Sequence, residues 1–304
     1  MLNEVSKEKL KRKLMIELGE VILTALKDPI VVEVMLNPDG TLWDDRLGLG
    51  MRQIGTMDAA QADNMISTLA TLVDTEVNLS KPIIECTLPF AGERFEGLIP
   101  PVVDAPTFTI RKKALMIFTL ENYVETGVMS EAICSELKEA VKNRENILVV
   151  GGTGSGKTTL GNALLNHLGE IAGEDERVVI IEDQPELQCS APNKVFLNTS
   201  SAVTTNDLLR ATMRLRPDRI IVGEVRGAEA LTLLKSWNTG HPGGFCTIHA
   251  NSPEAALIRM DQLCQEAGVP SQKSLIDEAI DAVVFIRKTA EKKRVVERLW
   301  RPGE

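Results

Sequence analysis

The sequence predicts an α/β protein with two domains, and three observations lead to this prediction. From about residue 130 onward, short apolar runs alternate with helical patterns, which is typical of a parallel sheet covered by helices on both faces. Residues 1–113 instead combine helices with short β-branched runs, which indicates a smaller α+β domain. A glycine-rich segment stands between a strand and a helix at residues 151–158. The length of 304 residues suits two domains of ordinary size.

The sequence pattern of residues 1–113 predicts a series of helices and strands. Apolar side chains recur at a helical period over residues 7–27, up to the helix-ending pair Asp28-Pro29. A strand, a Pro-Asp-Gly turn and a second strand follow. Residues 58–73 predict a helix with Asp58 as its N-cap. Strands of an antiparallel sheet are predicted at IIECTLP, RFEGLIPP and PTFTIRKK, and residues 114–129 are predicted to be a linker that lets the two domains move.

The larger domain is predicted over residues 130–304. It opens with a helix, SEAICSELKEAVKNR, the strand NILVV and the helix KTTLGNALLNHLG. Four further predicted strands are VVIIE, KVFLN, RIIVGE and FCTIH, and the helices between and after them are TTNDLLRATMRL, AEALTLLKSW and PEAALIRMDQLCQEA. Residues 288–304 predict a last strand and a charged tail with no assignable role.

Composition limits the functions that the chain can have. The net charge of −9 argues against a protein whose main task is to bind nucleic-acid backbones. There is no apolar run of about 18 residues and no signal-peptide pattern, so we expect a cytoplasmic protein that is neither secreted nor membrane-spanning. The five cysteines are scattered without a CxxC motif, which favours a reducing compartment.

The glycine-rich segment fits the phosphate-loop pattern GxxxxGK[ST] at every required position. In such a loop, backbone N–H groups converge on phosphates and the helix N-terminus adds a favourable dipole. Lys157 is predicted to reach the β- and γ-phosphates of ATP, and the Thr158 hydroxyl to bind Mg²⁺. The predicted nucleotide-binding set is Gly151, Gly152, Thr153, Gly154, Ser155, Gly156, Lys157, Thr158 and Thr159. A glycine-rich turn without a ligand is disfavoured by the flanking strand and helix.

Two predicted strands end in carboxylates, which hydrolysis needs for a water molecule in line with the γ-phosphate. Glu224 ends RIIVGE and is the candidate general base. Many phosphate-loop ATPases carry Asp-Glu at this strand end, whereas here it is Gly-Glu. Glu182 ends VVIIE, and Asp183 and Glu186 come just after it. These three carboxylates are predicted to fill the gap, Asp183 as a metal ligand and the glutamates in catalysis. The alternative is a solvated turn.

Four motifs together resemble the secretion (traffic) ATPases, which drive type II secretion, type IV secretion and pilus machines. Two of them are GGTGSGKTT and IIEDQPELQ. The other two lie in the segment RLRPDRIIVGEVRGAEALTLLKSWNTGHPGGFCTIHANS. Within that family, VVEVMLNPDGTLW and GERFEGLIPPVVDAPTFTIRKK are similar to the conjugative-transfer ATPases of the VirB type. The resemblance extends from the N-terminal domain to about residue 287.

This resemblance implies a RecA-like ATPase domain over residues 130–304 and a PAS-like domain over residues 1–113. It implies a homohexameric ring with nucleotide between the two domains. Members attach peripherally to the cytoplasmic face of the inner membrane, where the implied partners are channel components and a coupling protein. Residues 182–186 match the family's acidic box, Glu224 its Walker B glutamate and residues 241–249 its histidine box. The missing Walker B aspartate is a trait of the family.

The histidines His241 and His249 are candidates for sensing the γ-phosphate. His249 ends the strand FCTIH, so it is expected to donate a hydrogen bond to that phosphate. His241 lies in the loop TGHPGG and is expected to do likewise or to face a neighbouring subunit. Zinc bound by the two histidines and Cys246 would have only three ligands, and strand alternation points Cys246 and His249 to opposite faces. Ordinary structural histidines remain an alternative.

Two arginines of the N-terminal domain match family positions that contact nucleotide. Arg111 lies in PTFTIRKK and Arg94 in GERFEG. A phosphoryl-transfer site needs positive charge beyond one lysine, so these arginines would clamp the domains when ATP is bound. The alternative for each is a solvated strand position.

The favoured function is an ATPase that powers conjugative type IV secretion. A pilus or type II secretion motor has the same fold, although many type II motors carry a tetracysteine zinc module that this sequence lacks. A nucleic-acid motor is disfavoured by the acidic charge. A kinase is disfavoured because no acceptor-binding signature is present.

Overall fold

The computed structural model describes residues 3–47, 49–112, 118–200, 202–291 and 293–303. The chain divides into unit 1, Met1–Leu115, and unit 2, Met116–Glu304. Each unit has its own sheet and its own buried apolar side chains. The predicted α/β class is confirmed.

Unit 1 contains two helices that pack on each other, α1 (Glu4–Lys27) and α2 (Ala59–Leu72). Helix α1 bends at Gly19, whose φ of 76° is a left-handed conformation that glycine tolerates. Helix α2 begins after Asp58, whose side chain accepts a hydrogen bond from the backbone N–H of Gln61 at 2.9 Å. The predicted N-cap is therefore confirmed.

The strands of unit 1 form an antiparallel sheet in the order β3-β2-β1-β6-β5-β4. Their bounds are β1 (Val31–Leu36), β2 (Thr41–Arg46), β3 (Gly50–Thr56), β4 (Ile83–Thr87), β5 (Arg94–Leu98) and β6 (Thr107–Arg111). The sequence did not predict β3. This edge strand leaves most of its side chains exposed, so it lacks the alternation of apolar and polar residues that marks a half-buried strand.

Unit 2 alternates helices and strands along the chain. Its elements are α3 (Leu120–Glu125), α4 (Glu131–Lys142), β7 (Ile147–Val150), α5 (Lys157–Ile171), β8 (Val178–Glu182), β9 (Lys194–Asn198), α6 (Thr205–Thr212), β10 (Arg219–Val222), α7 (Glu229–Asn238), β11 (Phe245–Ile248), α8 (Pro253–Gln265), α9 (Lys273–Ala279), β12 (Ala282–Lys288) and β13 (Arg294–Trp300). The helix α9 and the strand β12 were not among the predicted elements.

The sheet of unit 2 has the order β13-β12-β7-β11-β10-β8-β9. All neighbouring strands are parallel except β13, which is antiparallel to β12. Strands β7, β8, β10 and β11 are buried throughout, and their side chains alternate between two apolar clusters, one on each face. Because the carboxyl ends of parallel strands meet at one edge, the residues that follow β7, β8, β10 and β11 lie at the same edge of the sheet.

The range predicted as a linker contains a packed helix. Helix α3 begins at a capping box in which Thr119 and Asn122 satisfy each other's backbone N–H groups. Leu120, Tyr123 and Met129 belong to a buried cluster of unit 2. Residues 118–129 thus belong to unit 2, and residues 113–117 lie outside the described residues.

Within the described ranges, no helix combines the length and the apolar character needed to span a bilayer. The five cysteines are all free thiols. Burial raises the pKa of Cys86 to about 12 and that of Cys264 to about 11.

Candidate functional site

The phosphate loop joins β7 to α5 at the carboxyl edge of the sheet. Gly154 has a φ of 66° and Gly156 a φ of 104°, both in the left-handed region that favours glycine. A β-carbon added to Gly151 would lie 2.2 Å from the carbonyl oxygen of Ile286, so only glycine fits there. Gly156 is the N-cap of α5 and makes no side-chain cap hydrogen bond. The first backbone N–H groups of α5 therefore face the loop without a capping side chain.

Side-chain donors add to these N–H groups. Lys157 is buried, and its ammonium group donates to the carbonyl oxygens of Gly151 at 3.1 Å and Gly152 at 3.3 Å. The buried Ser155 hydroxyl has no hydrogen-bond partner within the described part of the chain. Thr158 and Thr159 follow in the first turn of α5. Convergent N–H, ammonium and hydroxyl donors fit the oxygens of a phosphate chain.

Glu224 follows the end of β10, and its two carboxylate oxygens have different neighbours. Oε2 accepts hydrogen bonds from Nε of Arg226 at 2.9 Å and from Nη2 of the same residue at 2.5 Å. Oε1 lies 2.7 Å from Nε2 of His249. The candidate general base thus stands between a guanidinium group and an imidazole.

His249 connects this carboxylate to the phosphate loop. Its Nδ1 lies 3.1 Å from the ammonium group of Lys157. Burial and the positive charge of Lys157 lower the pKa of His249, although the Glu224 carboxylate opposes this shift. The lowered pKa favours the neutral form of the ring, whose Nε2 lies 3.3 Å from the Lys157 ammonium nitrogen and 2.7 Å from Oε1 of Glu224. The predicted place of His249 beside the loop agrees with this geometry.

Glu182 ends β8 and lies against Gly223, the residue that stands where many phosphate-loop ATPases have aspartate. A β-carbon on Gly223 would be 3.1 Å from Cγ of Glu182. Oε1 of Glu182 accepts the backbone N–H groups of Glu186 at 3.0 Å and Leu187 at 2.8 Å. The side chain of Glu182, on the neighbouring strand, thus fills the space that an aspartate side chain would occupy. It also orders the acidic loop, which is residues 183–186.

The two carboxylates of the acidic loop, Asp183 and Glu186, lie near Arg226. Oδ1 of Asp183 accepts hydrogen bonds from the hydroxyls of Thr199 and Thr205, each at 3.2 Å, and Oδ2 lies 3.7 Å from Nη1 of Arg226. Glu186 is close enough for its charge to act on the same guanidinium group. The recorded contacts of Asp183, the predicted metal ligand, are therefore with two hydroxyls and an arginine.

The site has oxygen ligands suited to Mg²⁺ but no preassembled metal cage. Within the described ranges, no group of three or more His, Cys, Asp or Glu side chains is placed to hold a metal ion. Mg²⁺ at a nucleotide needs only one or two protein oxygens, because phosphates and water supply the others. The Thr158 hydroxyl, in the first turn of α5, fits this role, and the acidic loop supplies carboxylates at the same sheet edge.

Arg226 is a residue of this site that the sequence did not predict. Its side chain contacts Glu224 and Asp183, and the charges of these two and of Glu186 reach it. Burial alone would lower the pKa of Arg226, but the hydrogen bond to Glu224 and the charges of Glu224, Asp183 and Glu186 together raise it. The signal was present in the sequence as a cation two residues after the carboxylate in GEVR.

Within unit 2, the structure does not bring His241 to the phosphate loop. Strand β11 starts beside the first residue of β7 and ends beside its last, where the loop begins. His241 precedes β11 and therefore lies at the opposite edge of the sheet from His249. Its Nδ1 is 3.2 Å from the carbonyl oxygen of Ser236. A hydrogen bond from His241 to a phosphate in this loop is not available from that position.

Arg94 and Arg111 lie side by side in unit 1. They are direct partners in the register of β5 and β6, so their side chains leave the same face of the sheet. Glu33 on β1 is opposite Arg111. Burial raises the pKa of Glu33, an effect that the charges of Arg111 and Arg94 partly offset and that of Asp45 reinforces.

Residues 53–301 match the family described as T2SSE, Type II/IV secretion system protein. A probable conjugal transfer protein TrbB of Sinorhizobium fredii is 50% identical over 290 residues, which cover 95% of this chain and 89% of that protein. The conjugal transfer protein TrbB of Rhizobium radiobacter is 49% identical, over 96% of this chain and 90% of that protein.

Solved structures agree with these matches. The VirB11 ATPase from the type IV secretion system of Brucella suis, in complex with sulphate, is 28% identical, with a TM-score of 0.51 over 98% of this chain and 97% of that chain. The pilus retraction motor PilT with bound ADP has a TM-score of 0.67 over 93% of this chain and 82% of that chain, and at 17% identity it shows the fold alone. The chain belongs to the type II/IV secretion system protein family, in which it groups with the TrbB conjugal transfer proteins and is a traffic ATPase of the VirB11 type.

Proposed function

We propose that this ATPase powers a conjugative type IV secretion machine by hydrolysing Mg²⁺-bound ATP as a homohexamer. The contact series from Lys157 through His249 to Glu224 is the observation that carries the proposal. It connects a phosphate-binding lysine to a candidate general base through one neutral imidazole. Sequence identities of 50% and 49% with two TrbB proteins support the conjugative role.

In the proposed reaction, Lys157 and the loop N–H groups bind the β- and γ-phosphates of ATP. Glu224 accepts a proton from a water molecule that attacks the γ-phosphorus in line with the leaving oxygen. The Thr158 hydroxyl would hold Mg²⁺, which would supply charge neutralisation at the phosphates when bound. Glu182 keeps the acidic loop in place through its two backbone hydrogen bonds.

His249 acts in this proposal as the sensor of the γ-phosphate. When Lys157 turns to the phosphates, Nδ1 of His249 loses its ammonium partner. A neutral ring can then change hydrogen-bond partners without leaving a buried charge unpaired. Hydrolysis reverses the exchange, and the change at His249 passes to Glu224 through their 2.7 Å contact. In this proposal, the exchange drives the domain movement that a motor needs.

Arg226 acts as a positioning residue for Glu224 in the same scheme. It holds one carboxylate oxygen, which leaves the other oxygen facing His249. It also ties Glu224 to the acidic loop through Asp183. The geometry favours Glu182 and Arg226 as supports of the site, and a role for Asp183 in Mg²⁺ binding stays a prediction.

We further propose that the hexamer associates peripherally with the cytoplasmic face of the inner membrane and acts with channel components and a coupling protein. His241, far from the loop of its own subunit, is then a candidate contact with a neighbouring subunit.

The test compares Lys157→Ala and Glu224→Gln with the wild-type protein. Both variants should lose ATP hydrolysis, by about 100-fold or more for Glu224→Gln, because proton transfer from water is removed. Lys157→Ala should also weaken nucleotide binding, whereas Glu224→Gln should bind ATP nearly as well as wild type. Phosphate release and binding of a fluorescent ATP analogue measure the two effects.

Donor cells that carry either variant should lose plasmid transfer in a mating assay, and sedimentation velocity with Mg²⁺-ATP measures ring size. Wild-type turnover in Glu224→Gln would remove the proposed general base. Loss of twitching motility with normal mating would assign the motor to a pilus instead.

A further inference from the structure

The side of the phosphate loop that faces away from the carboxylates carries two cations that the proposed reaction does not use. They are Lys288, at the end of β12, and Arg294, at the start of β13. Both belong to the C-terminal hairpin, for which the sequence indicated no role.

Both side chains lie against glycines of the loop. A β-carbon on Gly156 would be 3.2 Å from Cδ and 3.4 Å from Nε of Arg294. A β-carbon on Gly154 would be 3.2 Å from the ammonium nitrogen of Lys288. The hairpin cations therefore touch the two loop glycines that adopt left-handed backbone conformations.

The guanidinium group of Arg294 has an unsatisfied donor at this place. Its Nε is buried and has no hydrogen-bond acceptor among the residues that the structure describes. The buried Tyr123 ring is near enough for the Arg294 charge to act on its hydroxyl. Buried N–H donors are nearly always paired, so this one calls for an acceptor beyond those that the described residues provide. A phosphate oxygen in the adjacent loop is such an acceptor.

Sheet order decides which phosphates the hairpin faces. Strand β7, which leads into the loop, stands between β12 on one side and β11 on the other. His249 and Glu224 follow β11 and β10, on the β11 side. A nucleotide whose γ-phosphate faces those two residues extends its other end toward β12 and β13. The hairpin cations thus lie on the side of the phosphates that ATP and ADP share.

We propose that Arg294 binds the α- and β-phosphate end of the nucleotide, with Lys288 as an accessory cation at the exposed rim. This inference rests on the proposed function only in placing nucleotide in the loop with its γ-phosphate toward Glu224. Arg294 is then a binding residue that does not distinguish ATP from ADP. That sets it apart from His249 and Glu224, whose contacts depend on the γ-phosphate.

The test measures dissociation constants of fluorescent ATP and ADP analogues for Arg294→Gln, Arg294→Lys and Lys288→Gln. Arg294→Gln should weaken both nucleotides by a similar factor of about tenfold or more, since a charge-assisted hydrogen bond is lost. Its kcat at saturating ATP should fall far less than its KM rises. Arg294→Lys should recover part of the affinity, and Lys288→Gln should have a smaller effect of the same kind.

Arg298→Gln is the matched control, because Arg298 is on the same strand and pairs with exposed Glu254 on α8. It should bind both nucleotides as wild type does. Thermal melting of each full-length variant separates loss of binding from loss of folding. If Arg294→Gln does not fold, the affinities of Arg294→Lys for ATP and ADP test the role of Arg294.

Unchanged affinity for both nucleotides, or weaker binding of ATP alone, would overturn the proposal. Lys157→Ala distinguishes this failure from that of the proposed function. If Lys157→Ala loses binding and Arg294→Gln does not, only the role of Arg294 is wrong. If neither variant changes binding, nucleotide does not occupy the loop and both proposals fail.

Discussion

Glu224 illustrates how single residues determine the chemistry of this site. Its two oxygens face different partners, Arg226 on one side and His249 on the other. A carboxylate held in this way keeps one orientation toward the loop, as a general base must. The same contacts mean that the base can respond to the loop, because His249 also touches Lys157.

We predict that Arg226→Ala lowers kcat by up to about 100-fold while nucleotide affinity changes little, because misplacing a general base mainly affects the chemical step. Steady-state hydrolysis and binding of a fluorescent ATP analogue measure the two quantities. Arg226→Lys should recover part of the rate, since it keeps the charge but cannot form the paired contact from Nε and Nη2. Wild-type kcat in Arg226→Ala would contradict a positioning role.

At the scale of elements, the sequence predicted best the strands that are buried on both faces. Strands β7, β8, β10 and β11 are short, continuous apolar runs, and the helices between them have clear periodicity. The exposed edge strand β3 and the short helix α9 gave weaker signals and were not predicted. Periodicity alone does not reveal which of the residues near a strand end turn toward a site.

The histidine pair shows this limit. His241 and His249 are close in sequence, yet a strand of four residues advances roughly 13 Å and places them at opposite edges of the sheet. The carboxylates could be predicted because each follows the carboxyl end of a parallel strand. The individual roles of Glu182 and Asp183 could not, because adjacent residues point in different directions.

We predict that Gly223→Asp, which introduces the aspartate usual in phosphate-loop ATPases, lowers turnover. Its side chain would meet Glu182, and even the β-carbon in Gly223→Ala comes within 3.1 Å of Cγ. Crowding of this kind costs about 1–3 kcal/mol and would displace the acceptor for the N–H groups of Glu186 and Leu187.

Hydrolysis rates and unfolding midpoints check this prediction. Glu182→Asp, which shortens the opposing side chain, should partly restore the stability of Gly223→Ala. Turnover of Gly223→Asp equal to or above wild type would contradict the account of the missing aspartate.

On the scale of the whole molecule, the predicted nucleotide-binding groups come from both units. The phosphate loop, the carboxylates and the hairpin cations belong to unit 2, whereas Arg94 and Arg111 belong to unit 1. The chain carries a net charge of −9, so a site for a polyphosphate has to concentrate its cations locally.

We predict that Arg111→Ala lowers kcat by at least about tenfold without unfolding the chain, because arginines stabilise charge in phosphoryl transfer. Arg12→Ala is the control, since Arg12 is an exposed arginine of α1 paired with Glu8. Hydrolysis and circular dichroism melting are measured for both variants. Equal activity in Arg111→Ala and wild type would place Arg111 on a solvated surface instead.

The position of β7 also bears on how the protein is made. The strands that flank β7 are β11 and β12, both of which leave the ribosome long after the phosphate loop has emerged. Until they arrive, a nascent chain exposes a strand that is buried throughout in the finished molecule, and such intermediates are prone to aggregate. A translation product that stops short of β12 would therefore carry the complete loop sequence and still leave one side of β7 unpaired.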